Sequence, residues 1–89
     1  MNKKIITIKW DAQDKANAGW AYDIRDGESG EINRQAADAV DRICENMEAI
    51  DGDYDAIKEA TGAEAGDQLW LDLSGNSQID LAALMGMDE

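Results

Sequence analysis

The sequence predicts an α+β domain. Its expected form is a small three-stranded antiparallel sheet, with one long amphipathic helix and one or two short helices packed on one face, in the order β-β-α-(α)-β-(α). Three stretches alternate apolar and polar residues with a period of two, as a strand does when it has one buried side and one wet side. A central stretch instead repeats apolar residues every three or four positions, the mark of a helix with a single buried seam. Helices gathered on one face of the sheet would bury all of these apolar sides together. The 89 residues are enough for one such domain, spanning 1–89, and for its core without metals or disulfides.

The first strand runs from Lys4 to Trp10, with Ile6, Ile8 and Trp10 on one side and Ile5, Thr7 and Lys9 on the other, and core packing is the default for Trp10 as for Trp20. Asp11 to Gly19 is polar and small, a loop or wide hairpin connection. The second strand covers Gly19 to Asp26, with Trp20, Tyr22 and Ile24 facing the core and Ala21, Asp23 and Arg25 facing away. Asp26 to Gly30 reads as a turn into the helix, and its two glycines lack the Lys-Ser/Thr of a phosphate loop.

The central helix extends from an Asn33 N-cap towards an exit at Gly52, with Ala36, Val40, Ile43, Met47 and Ile50 along its seam. Its opposite side carries Asp38, Asp41, Glu45 and Glu48 as one stripe. Each neighbouring like-charge pair costs about 0.2–0.5 kcal/mol, whereas burying one Ile or Met side chain contributes about 1.5–3 kcal/mol, so the helix forms with its stripe intact. Asp53 caps a short second helix that ends at Gly62, with Tyr54, Ile57 and Thr61 inward. Asp67 to Leu73 is the third strand, with Leu69, Leu71 and Leu73 inward and Trp70 opposite to them. After a turn over Ser74 to Ser77, Ser77 and Asp80 start a last helical turn that Gly86 stops. The sheet's other face, with Ile5, Thr7, Ala21 and Trp70, is apolar enough to expect a cover from the last segment, a partner or a second copy.

Charge is distributed unevenly. The net charge is −12, yet residues 1–37 balance six acids with six bases, and residues 38–89 set fourteen acids against only Arg42 and Lys58. Such a field disfavours direct binding to nucleic acid or an anionic membrane and favours a basic partner. With no histidine and a single cysteine, Ser-His or Cys-His catalysis in its usual form and a closed zinc site are excluded. Carboxylates on a wet helix face make no acid–base pocket, so no enzyme activity, catalytic residue or cofactor is expected. Asp51, Asp53 and Asp55 open like a calcium loop, but Ala56 stands where glycine is needed and Gly62 where the bidentate Glu belongs. They read as a helix-capping turn, with no metal site. Cys44, beside the seam, reads as an inert thiol suited to a reducing cytoplasm. Lys9 interrupts the first apolar run too early for a signal peptide, and Leu81 to Met85 is too short to span a bilayer.

Whether the acidic stripe can bind anything depends on its density. Four charges over ten residues give roughly one per 5 Å, against about one per 3.4 Å along each DNA strand. One stripe is too sparse to stand in for a duplex. It becomes adequate when the Asp51–Asp67 carboxylates lie beside it as a second row, within a Debye length of about 8 Å.

In size, acidity, lack of catalytic residues and compact mixed fold, the chain resembles the small phage-encoded inhibitors of bacterial defence, the anti-CRISPR and DNA-mimic proteins. The balanced N-terminal half departs from the most extreme mimics. The resemblance implies a non-enzymatic inhibitor in the host bacterial cytoplasm that competes with DNA or RNA for the basic surface of a nuclease or CRISPR surveillance complex. The candidate partner-binding residues read from the sequence are Asp38, Asp41, Glu45, Glu48, Asp51, Asp53 and Asp55, with Trp70 as an anchor. The alternative expectation is a protein-interaction module or homodimer that uses the open sheet face around Ile5 and Trp70.

Overall fold

A computed structural model describes residues 4–10, 19–46, 51–73 and 77–86. The elements are β1 (Ile5–Trp10), β2 (Trp20–Ile24), β3 (Glu28–Glu31), α1 (Arg34–Glu45), α2 (Asp51–Thr61), β4 (Gln68–Leu73), β5 (Ser77–Asp80) and α3 (Leu81–Leu84). The α+β class is as predicted. The sheet, however, has five strands rather than three, in the order β3-β2-β1-β4-β5. It is mixed rather than antiparallel, because β1 and β4 pair in parallel at its centre while the other neighbours are antiparallel. The direction of β4 is set by the path of the two helices before it, which apolar periodicity does not encode.

Both unforeseen strands are edge strands with little apolar signal. β3 reads Glu-Ser-Gly-Glu and occupies part of the expected turn, following a tight reversal in which the Gly27 amide donates to the Ile24 carbonyl at 3.0 Å. Gly30 lies where any side chain would run into the ring of Tyr22 on β2, so glycine here lets the tyrosine lie across the edge strand. β5 has Ile79 as its one large apolar residue and begins at Ser77, where the turn was expected to end.

The apolar alternation otherwise sorts the faces as expected. Ile6, Ile8, Leu69 and Leu71 are fully buried and share one core with Ala36, Val40 and Ile43 of α1, Tyr54 and Ile57 of α2, and Leu81 of α3. All three helices therefore lie on one face. α3 belongs to this layer, so the described part of the last segment does not cover the open face, where Ile5, Thr7, Ala21 and Trp70 are only partly buried.

α1 starts as predicted, with the Asn33 side chain accepting from the Ala36 amide at 2.8 Å. It ends earlier than the seam implied, since Asn46 is extended at φ −145°. Met47, Glu48 and Ile50 lie outside the described residues. Gly52 is not a helix exit but the second residue of α2, which starts at Asp51, so Asp53 sits inside the helix rather than capping it. At its far end, Gly62 takes the left-handed φ of 72° and its amide donates to the Lys58 carbonyl. Asp80 caps α3, accepting from the Ala83 amide at 3.1 Å.

One buried carboxylate pins the parallel pair. Asp67, just before β4, accepts the Lys4 amide on one oxygen and the Glu64 amide on the other, each at 2.9 Å. The Lys4 ammonium lies 3.8 Å from it and donates to the Gly62 carbonyl at 2.8 Å. The Gln68 amide closes the pairing by donating to the Lys4 carbonyl at 2.8 Å. Because both Asp67 oxygens accept, Asp67→Asn must turn an amide N–H towards one backbone N–H. We expect a loss of about 1–3 kcal/mol in urea unfolding, with Asn no better tolerated than Ala. Wild-type stability in the Asn variant would show that the carboxylate does not hold this pair.

Candidate functional site

α1 has a wide buried side (Ala36, Ala37, Ala39, Val40 and Ile43), and its remaining arc faces water. The 3.6-residue period sets Asp38, Asp41 and Glu45 along that arc. Asp38 and Glu45 are exposed. Asp41 is partly buried, because its Oδ1 accepts the indole N–H of Trp20 at 2.8 Å, supplying the partner a buried tryptophan needs. In α2 the apolar side is Tyr54, Ile57 and Thr61, so Asp51, Asp55 and Glu59, four residues apart, form an exposed row. The two helices pack against each other. A second acidic row, completed by Glu59, is therefore carried by the helix that packs on the first.

Several candidates are not part of this surface. Asp53 is 5% exposed and turned inward, where Arg42 Nε reaches both of its oxygens at 3.0 Å and Arg42 Nη2 reaches Oδ1. As a surface carboxylate for a partner it is withdrawn, because it bridges α2 to α1. Asp67, expected to extend the acidic run, is likewise committed to the sheet. Trp70 is on the open face with the outward side of β1, so it cannot touch a partner that lies on the helices. Sequence reasoning also misplaced Trp10, which it assigned to the core. It is 47% exposed and packs edge-to-face on Trp20 with ring centroids 5.1 Å apart. Its position at the end of a strand, before a polar stretch, was the available signal.

The cations do little to cancel the two rows. Lys4 is held at Asp67, Lys9 at Asp23 (3.0 Å), Arg42 at Asp53 and Lys58 at Asp55 (3.4 Å). Among the described residues no cation lies within 4.0 Å of the carboxylates of Asp38, Glu45, Asp51 or Glu59. Titrating groups nearby register the resulting field. Burial raises the Cys44 thiol above its ordinary range, and the charges of Asp41 and Glu45 raise it further, which keeps the thiol protonated and unreactive. Burial likewise raises the Tyr54 phenol, with Asp51 and Asp53 adding to it. The surface is suited to attracting cations. Among the described residues it contains no enclosed pair of carboxyls of the kind that proton transfer requires.

On the open face, Ser29 donates to Asp23 at 2.5 Å and Lys9 pairs with the same carboxylate. Lys9 and Arg25 stand there with the acids Asp23 and Glu31, so this face carries no single-signed field.

The Arg42–Asp53 contact gives a pH dependence. Hydrogen bonding by Arg42 holds the Asp53 carboxyl below the usual range, despite the opposing effect of burial. A depressed folded-state value contributes stability that is present above the unfolded value of about 3.9 and is lost as pH falls through the folded value. Arg42→Gln should therefore lower stability at neutral pH and move the acid-unfolding midpoint upward, with the gap to wild type closing at low pH. Circular dichroism against pH checks this, and a gap that persists to the lowest pH would contradict it. In comparison with known proteins, no family model, curated protein or solved structure matches this chain.

Proposed function

We propose that this chain is a non-enzymatic acidic inhibitor, of anti-CRISPR or DNA-mimic type, acting in a host bacterial cytoplasm. It binds the basic nucleic-acid-binding surface of a bacterial defence protein or complex, such as a nuclease or CRISPR surveillance complex, and competes with DNA or RNA. The observation that carries the reading is the pair of outward carboxylate rows on adjacent helices, Asp38–Asp41–Glu45 and Asp51–Asp55–Glu59, in which Lys58 beside Asp55 is the one ion-paired cation among the described residues. Carboxylates on two adjacent helices offer a phosphate-binding groove a broader negative surface than one stripe could. Exposed charges of this kind mainly steer encounter, so association is fast and weakens with salt.

The test neutralises only carboxylates that hold no other group among the described residues, by combining Asp38→Asn, Glu45→Gln, Asp51→Asn and Glu59→Gln. Wild type should capture nucleic-acid-binding proteins from bacterial lysate at low salt, release them at high salt, and be displaced by added DNA or RNA. The quadruple variant should fold and capture none of them. Equal capture by the variant, or capture that nucleic acid cannot displace, refutes the reading. Trp70→Ala should leave capture unchanged; a loss there, insensitive to salt, would transfer the binding site to the open sheet face.

A further inference from the structure

We propose that Trp10 and Asp41 form an arginine-accepting corner beside the acidic row of α1, where a partner's guanidinium lies on the exposed Trp10 indole and pairs with the Asp41 carboxylate. This rests on the reading of the helical layer as a surface for basic proteins and names the side chain that anchors it.

Trp10 follows Ile6 and Ile8 on the helix side of β1, so its exposed ring is on the same face as the carboxylates. The ring is held in place. Trp20 packs edge-to-face on it, and Gly19, at φ 90°, leaves space that the Trp10 ring fills. A Cβ at Gly19 would approach three ring atoms to within 2.9 Å. A ring already fixed in its bound position loses little freedom when a partner lands on it. Asp41 is tied to the same corner, since its Oδ1 holds the Trp20 indole N–H, while Oδ2 has no hydrogen-bond partner among the described residues. Asp38 and Glu45, one turn to either side of Asp41, add negative charge.

A flat cation that both stacks and pairs with a carboxylate fits this arrangement. The guanidinium is planar, weakly hydrated and forked, whereas an ammonium is a compact and strongly hydrated point charge. Tryptophan is the best of the aromatic faces for a cation. Phosphate-binding grooves are rich in arginine for the same geometric reason, so the proposed partners carry this group.

Nona-arginine and nona-lysine peptides, titrated into the full chain at matched salt, separate this corner from the field around it. Wild type should bind the arginine peptide more tightly, by about two- to fivefold, the worth of one exposed cation–π contact. Trp10→Leu should bring the two affinities together. Asp41→Asn, which keeps an oxygen for the Trp20 indole, should shrink the difference. If Trp10→Leu does not fold, wild-type NMR provides the readout: the arginine peptide should shift the Trp10 indole N–H more than the lysine peptide does, and leave that of Trp70 in place. Equal affinities with equal indole shifts, or an arginine preference that survives in Trp10→Leu, overturn the corner. If both peptides bind equally and the quadruple neutralised variant binds neither, the corner fails while the acidic surface stands. If neither peptide binds wild type, both readings fail.

Discussion

The carboxylate of Asp67 is the constraint on which the rest of the molecule depends. The two central strands are parallel and far apart in sequence, so no hairpin sets their register. Asp67 ties the amide that begins β1 to the turn that precedes β4, and the Lys4 ammonium closes the loop onto the end of α2. A slip of one residue between these strands would exchange Leu69 and Leu71 for Trp70 and Asp72 on the core side, because strand side chains alternate. The separation of a dry helix-covered face from a half-wet open one therefore depends on a buried group that is itself fully hydrogen-bonded. Burial without those partners would be costly, since an unpaired charge in a core is far less stable than one in water.

The acids divide into two kinds by what they touch. Asp67, Asp53, Asp41 and Asp80 each satisfy a backbone amide, an arginine or an indole, and removing them would leave a polar group unpaired. Among the described residues, Asp38, Glu45, Asp51 and Glu59 satisfy nothing comparable. Exposed ion pairs are worth only about 0–1 kcal/mol, so even a cation placed beside these four would add little stability. Their repulsion is likewise small next to the buried seam. Beyond the favourable placement of Asp51 in the first turn of α2, the fold gains little from them, so packing alone does not account for the rows.

What could be read from the chain follows the strength of the apolar signal. Ile6 and Ile8, Trp20, Tyr22 and Ile24, Leu69 and Leu71, and the Ala36–Val40–Ile43 seam all face the core as their spacing indicated. β3 and β5 escaped because edge strands are held by backbone pairing, and Glu-Ser-Gly-Glu or Ser-Gln-Ile-Asp shows no alternation of its own. The break after Glu45 escaped because apolar residues continue at helical spacing past Asn46, although the backbone there is extended. The acidic stripe of α1 was legible as a surface. The fate of Asp53 was not: an aspartate at a helix start reads as a cap, and its contact is an arginine eleven residues earlier on another helix. Trp10 was misread for the opposite reason. Alternation gives the side of a strand but not where the covering layer stops.

The edge of that covering layer decides how the two faces divide their roles. Carboxylates in water govern how quickly a basic surface arrives and in which orientation, whereas residence time depends on contacts that exclude water. A surface made only of charge would attract many basic proteins and retain none of them well. On the helical side, exposed apolar area and a carboxylate come together at Trp10, which packs on Trp20, whose indole holds one oxygen of Asp41. Trp70 has area without the field, and Glu45 or Glu59 has the field without the area. On the proposed reading the acidic rows determine where a partner lands, and the tryptophan corner which of its side chains is held. Specificity would then reduce to whether the partner presents a guanidinium at the end of its basic groove.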